Sequence, residues 1–192
     1  MVRTLSTREL VYDNDEYRAR IGIANRTYEM VSRVIDNAIC EAECGFTDKI
    51  SVIVEKAANS IEVVYQGRGM PKNKAEGEYS FKASPGMVSE DVYEYCVYDP
   101  LCGVRLVMAN SSRIEITSKG KGFIETVIIE KGETVSDIVE ETDMHQSQGY
   151  SVKFYPRRDV WLITDDSRCK IEEVVEECAA KCTKAKFILE WK

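Results

Sequence analysis

Apolar positions recur at helical spacing over residues 25–44. Tyr28, Val31, Val34, Ile35, Ala38, Ile39 and Ala42 form one stripe, as an amphipathic helix requires. Asn25 suits its N-cap and Gly45 its stop. A second stripe, Met30, Arg33, Asn37, Glu41 and Cys44, mixes chemistries and suits the wall of a cleft. Alternation then predicts strands over 49–55 and 60–65, with a turn at 57–59. Gly67-Arg68-Gly69-Met70-Pro71 reads as a tight turn and 72–86 as a polar loop. A helix is expected over 89–98, with a shorter one over 103–110. Strands follow over 113–118, 123–130 and 150–155, then a helix over 168–185 and a strand over 187–191. The sum predicts an α/β two-layer sandwich: a mostly antiparallel mixed sheet covered by helices on one face.

Length and charge narrow the function classes. The chain has 192 residues, enough for one domain over 21–192 behind an N-terminal arm over 1–20. A net charge of −7 argues against sequence-independent phosphate binding, so no direct nucleic-acid contact is expected. No apolar run has membrane length, and the polar start lacks the apolar stretch of a signal peptide. The expected compartment is therefore the cytoplasm. Seven cysteines without a CxxC pair, beside the single His145, fit no zinc pattern. Cys178 and Cys182 fall on the apolar face of the last helix and read as small buried hydrophobes. Cys40 and Cys44, one turn apart, could share a metal only as an incomplete site.

Four segments carry a resemblance. Val34-Ile35-Asp36-Asn37-Ala38-Ile39, with Glu41-Ala42 and Gly45 behind it, resembles the first ATP-site helix of the GHKL ATPases of the gyrase B and topoisomerase IV type. Gly67-Arg68-Gly69-Met70-Pro71 resembles the second motif. Leu101-Cys102-Gly103-Val104, with Asn110 beyond, resembles the third. Glu141-Thr142-Asp143, Gly149 and Val152-Lys153-Phe154-Tyr155-Pro156 resemble the fourth. They stand in family order and together span roughly residues 21–191. The resemblance implies the GHKL fold and an ATP pocket.

The departures bear on activity. Where the resemblance implies a general-base Glu, the chain has Arg33, which cannot accept a proton. Where it implies an Asp that anchors adenine, the chain has Tyr65, large enough to fill the slot itself. Pro100, Cys102 and Arg105 replace parts of the phosphate loop, and Tyr150 stands where a Thr is implied. Asn37 keeps the implied Mg²⁺-ligand position, of use only with a nucleotide bound. Gly67, Gly69 and Pro71 keep the turn, Arg68 its side chain, and Gly103 one tight backbone position. Arg33 is expected to meet an anion in the pocket, or to pair with Glu41 or a loop acid. Arg68 is expected in a structural ion pair.

The sequence thus points to a degenerate member of the fold, a non-hydrolysing binding or regulatory module with no required cofactor and no catalytic residue. Its pocket set is Arg33, Asn37, Tyr65, Gly67, Arg68, Gly69, Met70, Gly103, Arg105 and Tyr150. The expected partner is an anionic small molecule or a protein, and the arm leaves room for a homodimer. One alternative keeps ATP and Mg²⁺, as a binding or weakly hydrolysing subunit of a gyrase-like assembly, with Glu29 or Glu41 as substitute base. Another is a thiol or metal-dependent protein in which Cys102 is the reactive thiol.

Overall fold

The computed structural model describes residues 28–68, 107, 108 and 110–192. Helix α1, Glu29–Glu43, precedes strands β1, Lys49–Glu55, and β2, Ser60–Gln66. Strands β3, Ser111–Gly120, β4, Phe123–Glu130, β5, Glu133–Glu141, and β6, Gly149–Pro156, follow. Helix α2, Arg168–Lys181, and strand β7, Lys186–Trp191, complete the described chain. The strands form one seven-stranded sheet in the order β5-β4-β3-β6-β2-β1-β7. β1 and β7 run parallel; the other neighbours are antiparallel. This is the expected mixed, mostly antiparallel α/β sandwich.

Register explains how one face becomes a core. Two cross-strand rows on the helix-covered face are apolar over six strands. One is Ile129, Ile114, Phe154, Ile61, Val54 and Trp191; the other is Val127, Ile116, Val152, Val63, Val52 and Leu189. Against them α1 buries Met30, Val31, Val34, Ile35, Ala38, Ile39 and Ala42. Met30, placed by sequence on the mixed stripe, is fully buried in this core. α2 adds Ile171, Val175 and Cys178. The buried thiol of Cys178 is pushed up to about 11 by burial, and Cys182 is buried too. Both behave as the small hydrophobes expected.

Gly45 ends α1 at φ +81°. Asn59, at φ +52°, turns the chain between β1 and β2. Its Nδ2 donates to the carbonyls of Pro156 at 2.9 Å and Trp161 at 3.3 Å, and its Oδ1 accepts from the Ile163 amide at 2.8 Å. One turn residue thus fixes the segment that follows β6.

Three expectations change. α1 begins at Glu29 with Tyr28 at its N-cap, where the sequence suggested Asn25. β5 is a strand that the sequence pattern does not predict, because four of its nine residues are acidic and it buries none. α2 ends at Lys181, not at 185: Cys182 is already extended at φ −129°, ψ 104°. Lys184 then reaches back to the Glu43 carbonyl at 2.8 Å and its carboxylate at 2.9 Å. The arm over 1–20, Asn25, the loop over 72–86, the helix over 89–98 and most of that over 103–110 lie outside the described residues. Val107 and Met108 are buried in the core. Among the described residues, no helix is long and apolar enough to cross a membrane.

Candidate functional site

A third row on the covered face breaks the apolar pattern. Glu125 of β4, Ser118 of β3, Tyr150 of β6 and Tyr65 of β2 stand at one register. All four share the strand phase of the core. Glu125 is 1 % exposed, Ser118 fully buried and Tyr65 7 % exposed. The Tyr65 and Tyr150 rings lie 5.4 Å apart and tilted by 30°. Tyr150 meets Ser118 through a side-chain hydrogen bond, and its phenol is held well above the ordinary range. Burial is the main cause, with the charges of Glu41 and Glu125 adding to it.

α1 roofs this end of the sheet with Glu41. Its Oε2 accepts from the Arg68 amide at 3.0 Å, and its Oε1 accepts from Arg68 Nη2 at 2.6 Å. The guanidinium also lies 4.2 Å from the centre of the Phe46 ring, a cation–π contact that holds it in place. A methyl group on Gly67 would stand 2.8 Å from Glu41 Oε2, so a side chain there would push the Glu41 carboxylate from its place. At Gly149 an added methyl would stand 2.5 Å from the Tyr65 carbonyl oxygen. β6 therefore closes on β2 beside the tyrosine pair because the residue there is glycine.

The structure joins Tyr65, Gly67, Arg68 and Tyr150 into one cluster. Tyr65 points to the covered face rather than away from it. Arg68 makes an ion pair with Glu41, the structural pairing expected of it. Among the described residues Arg33 meets neither Glu41 nor a loop acid: its Nη1 lies 3.6 Å from Asp36 Oδ2, one turn on along α1, and its side chain is 40 % exposed. Burial raises the Asp36 pKa, opposed by the charges of Arg33 and of Lys181 on α2. The ion pair thus holds Arg33 on the side where Asp36 meets α2. Asn37 is half-buried on the same helix, between Arg33 and Glu41 in sequence. Gly69, Met70, Gly103, Arg105 and the thiol of Cys102 lie outside the described residues.

Sequence reasoning missed Ser118 and Glu125. The signal was available: Phe123, Val127 and Ile129 set the inward phase of β4, and Glu125 falls on it. Among the described residues, no group of three or more His, Cys, Asp or Glu side chains could hold a metal ion. Cys40 is half-buried and Cys44 exposed. Chemically, the cluster is a tyrosine-lined, hydrogen-bonded floor beneath an ion pair.

Comparison with known proteins gives the relationship. The topoisomerase IV B subunit of Salmonella typhimurium is 29 % identical over 165 residues, covering 81 % of this chain and 26 % of that protein. The corresponding Escherichia coli protein is 28 % identical over 166 residues, covering 82 % and 26 %. The DNA gyrase B subunit of Caulobacter vibrioides is 29 % identical over 170 residues, covering 79 % and 21 %. The chain spans about a quarter of the length of these relatives. No family model matches it. The chain is distantly homologous to the GHKL region of these topoisomerase and gyrase proteins, the relationship that the four motifs implied.

Proposed function

We propose that the chain is a GHKL-type domain turned into a binding or regulatory module that no longer handles ATP. One observation carries this reading: Tyr65 and Tyr150 stand ring to ring on the covered face, at the positions where the resemblance implies an adenine-anchoring Asp and a Thr. A buried tyrosine ring occupies volume that a purine needs, and it offers no carboxylate to the purine amino group. Arg33 fits the same reading. It replaces the implied base and is held by Asp36. These residues do not fit ATP, so no hydrolytic step is assigned to them.

The charge pattern favours a protein partner over an anionic small molecule. Arg33 and Arg68 each already face a carboxylate, so an anion would compete with Asp36 and Glu41. The second reading, an ATP- and Mg²⁺-binding subunit of a gyrase-like assembly, is favoured by Asn37, which keeps its half-buried place on α1.

Titration calorimetry with ATP, ADP and a non-hydrolysable ATP analogue, with and without Mg²⁺, separates the two. The expected result is no binding heat at concentrations up to about a millimolar. The double variant Arg33→Glu plus Tyr65→Asp, run alongside, is expected to gain affinity. Micromolar, Mg²⁺-dependent binding by the parent chain overturns the proposal and establishes the second reading.

A further inference from the structure

β5 forms one end of the sheet, and among the described residues no strand pairs with its outer edge. Exposed edges invite another strand, and proteins usually blunt them with lysine, proline, short length or a bulge. β5 is nine residues long and carries neither lysine nor proline. Its safeguards are four acidic side chains, which repel a like-charged strand, and a bulge: Ile128 pairs with Ser136 and Ile129 with Thr134, leaving Val135 as the extra residue. Val135 is 56 % exposed, Ile138 53 % and Val139 37 %. Ile138 stands opposite Thr126 and Val139 opposite Glu125, so the apolar positions lie on both faces of the rim.

Charge selects the occupant. Between Gly132 and Lys153 the sequence holds Glu133, Asp137, Glu140, Glu141 and Asp143 and no Lys or Arg. A second copy pairing edge to edge would set these carboxylates against themselves, and like charges across strands destabilise pairing. An extended segment that alternates apolar residues with Lys or Arg meets both features. We propose that the β5 edge is a docking site for such a basic, extended segment of a partner protein, added as an eighth strand. Main-chain hydrogen bonds would supply affinity, and the apolar and acidic side chains of β5 would supply selectivity. The β5 edge adjoins the Glu125 end of the covered row, opposite Val139, and the proposal does not depend on what the tyrosine pair binds.

The test uses the whole chain and three capped nine-residue peptides. One alternates valine and lysine; the second replaces lysine with glutamate; the third carries a central proline in the valine–lysine sequence. Affinity is read by calorimetry at 150 mM salt, and the seat of binding by amide hydrogen exchange. The valine–lysine peptide is expected to bind at least about tenfold more tightly than either control and to protect the β5 amides. Ile138→Lys, at an exposed position, is expected to weaken it by about the same factor. The charge swap Glu140→Lys plus Glu141→Lys is expected to shift preference toward the glutamate peptide. Equal binding of the proline peptide, protection elsewhere than β5, or a dimer formed through β5 without peptide overturns the proposal.

Discussion

Across the open face of the sheet, Arg113 lies between Glu115 and Glu130, Tyr155 donates to Glu115 at 2.9 Å, and Lys153 reaches Glu55 at 3.0 Å. Across the covered face of the same strands, Glu125, Ser118, Tyr150 and Tyr65 line up at one register. The open face pairs two cations with three carboxylates at the water interface, where an ion pair contributes roughly 0–1 kcal/mol. The covered row is withdrawn from water, where polar groups are costly unless hydrogen-bonded. A sandwich selected for stability alone would continue the two neighbouring rows, which are apolar from β4 to β7. The interruption lies at the end of the sheet where the proposed site stands.

Breaking the covered row should have the larger effect. Tyr150→Ala removes a half-buried ring packed on the core and its bond to Ser118, and is expected to cost about 3 kcal/mol, the low end of the range for deleting a large aromatic. Chemical denaturation checks it. Next comes Glu41→Gln, which leaves the Arg68 guanidinium partly buried beside a neutral amide. A loss on the order of 2 kcal/mol is expected from hydrogen bonds to a charged group, with disorder at Gly67 and Arg68 visible as faster amide exchange.

The open row should give the smallest effect and a distinct pH signature. Burial raises the Glu115 pKa, but the hydrogen bonds from Arg113 and Tyr155 outweigh it and leave the value lowered. A lowered native pKa stabilises the fold above the ordinary glutamate value, and that contribution is lost as pH falls through the native value. Glu115→Gln should therefore cost less than about 1 kcal/mol at pH 7. It should also flatten the decline of stability measured by denaturation between about pH 5 and pH 2. A loss matching that of Tyr150→Ala would mean that the two rows do not differ in kind.

Much of this was legible in the chain. Alternation located β1, β2, β3, β4, β6 and β7, because each has one face in the core. It failed at β5, whose residues face solvent on both sides and so carry no period. It overran α2, because Cys182 is buried without being helical, and burial alone cannot distinguish a helix face from an extended cap. Tyr65, Gly67, Arg68 and Tyr150 were found as a group through their motif positions. Ser118 and Glu125 were not, since their place beside Tyr150 depends on cross-strand register, which no single strand encodes. The pairing of Arg33 with Asp36 was missed because the motif directs attention across the cleft, while the acid stands one turn away on the same helix.

The central claim is that a tyrosine pair occupies the place of a purine. The most direct test is an amide ¹H–¹⁵N spectrum of the parent chain titrated with Mg²⁺ and ATP to about a millimolar. The expected result is that Tyr65, Gly67, Arg68 and Tyr150 do not shift. Saturable shifts at these four amides would contradict the claim, because a nucleotide would then be lying where the two rings stand.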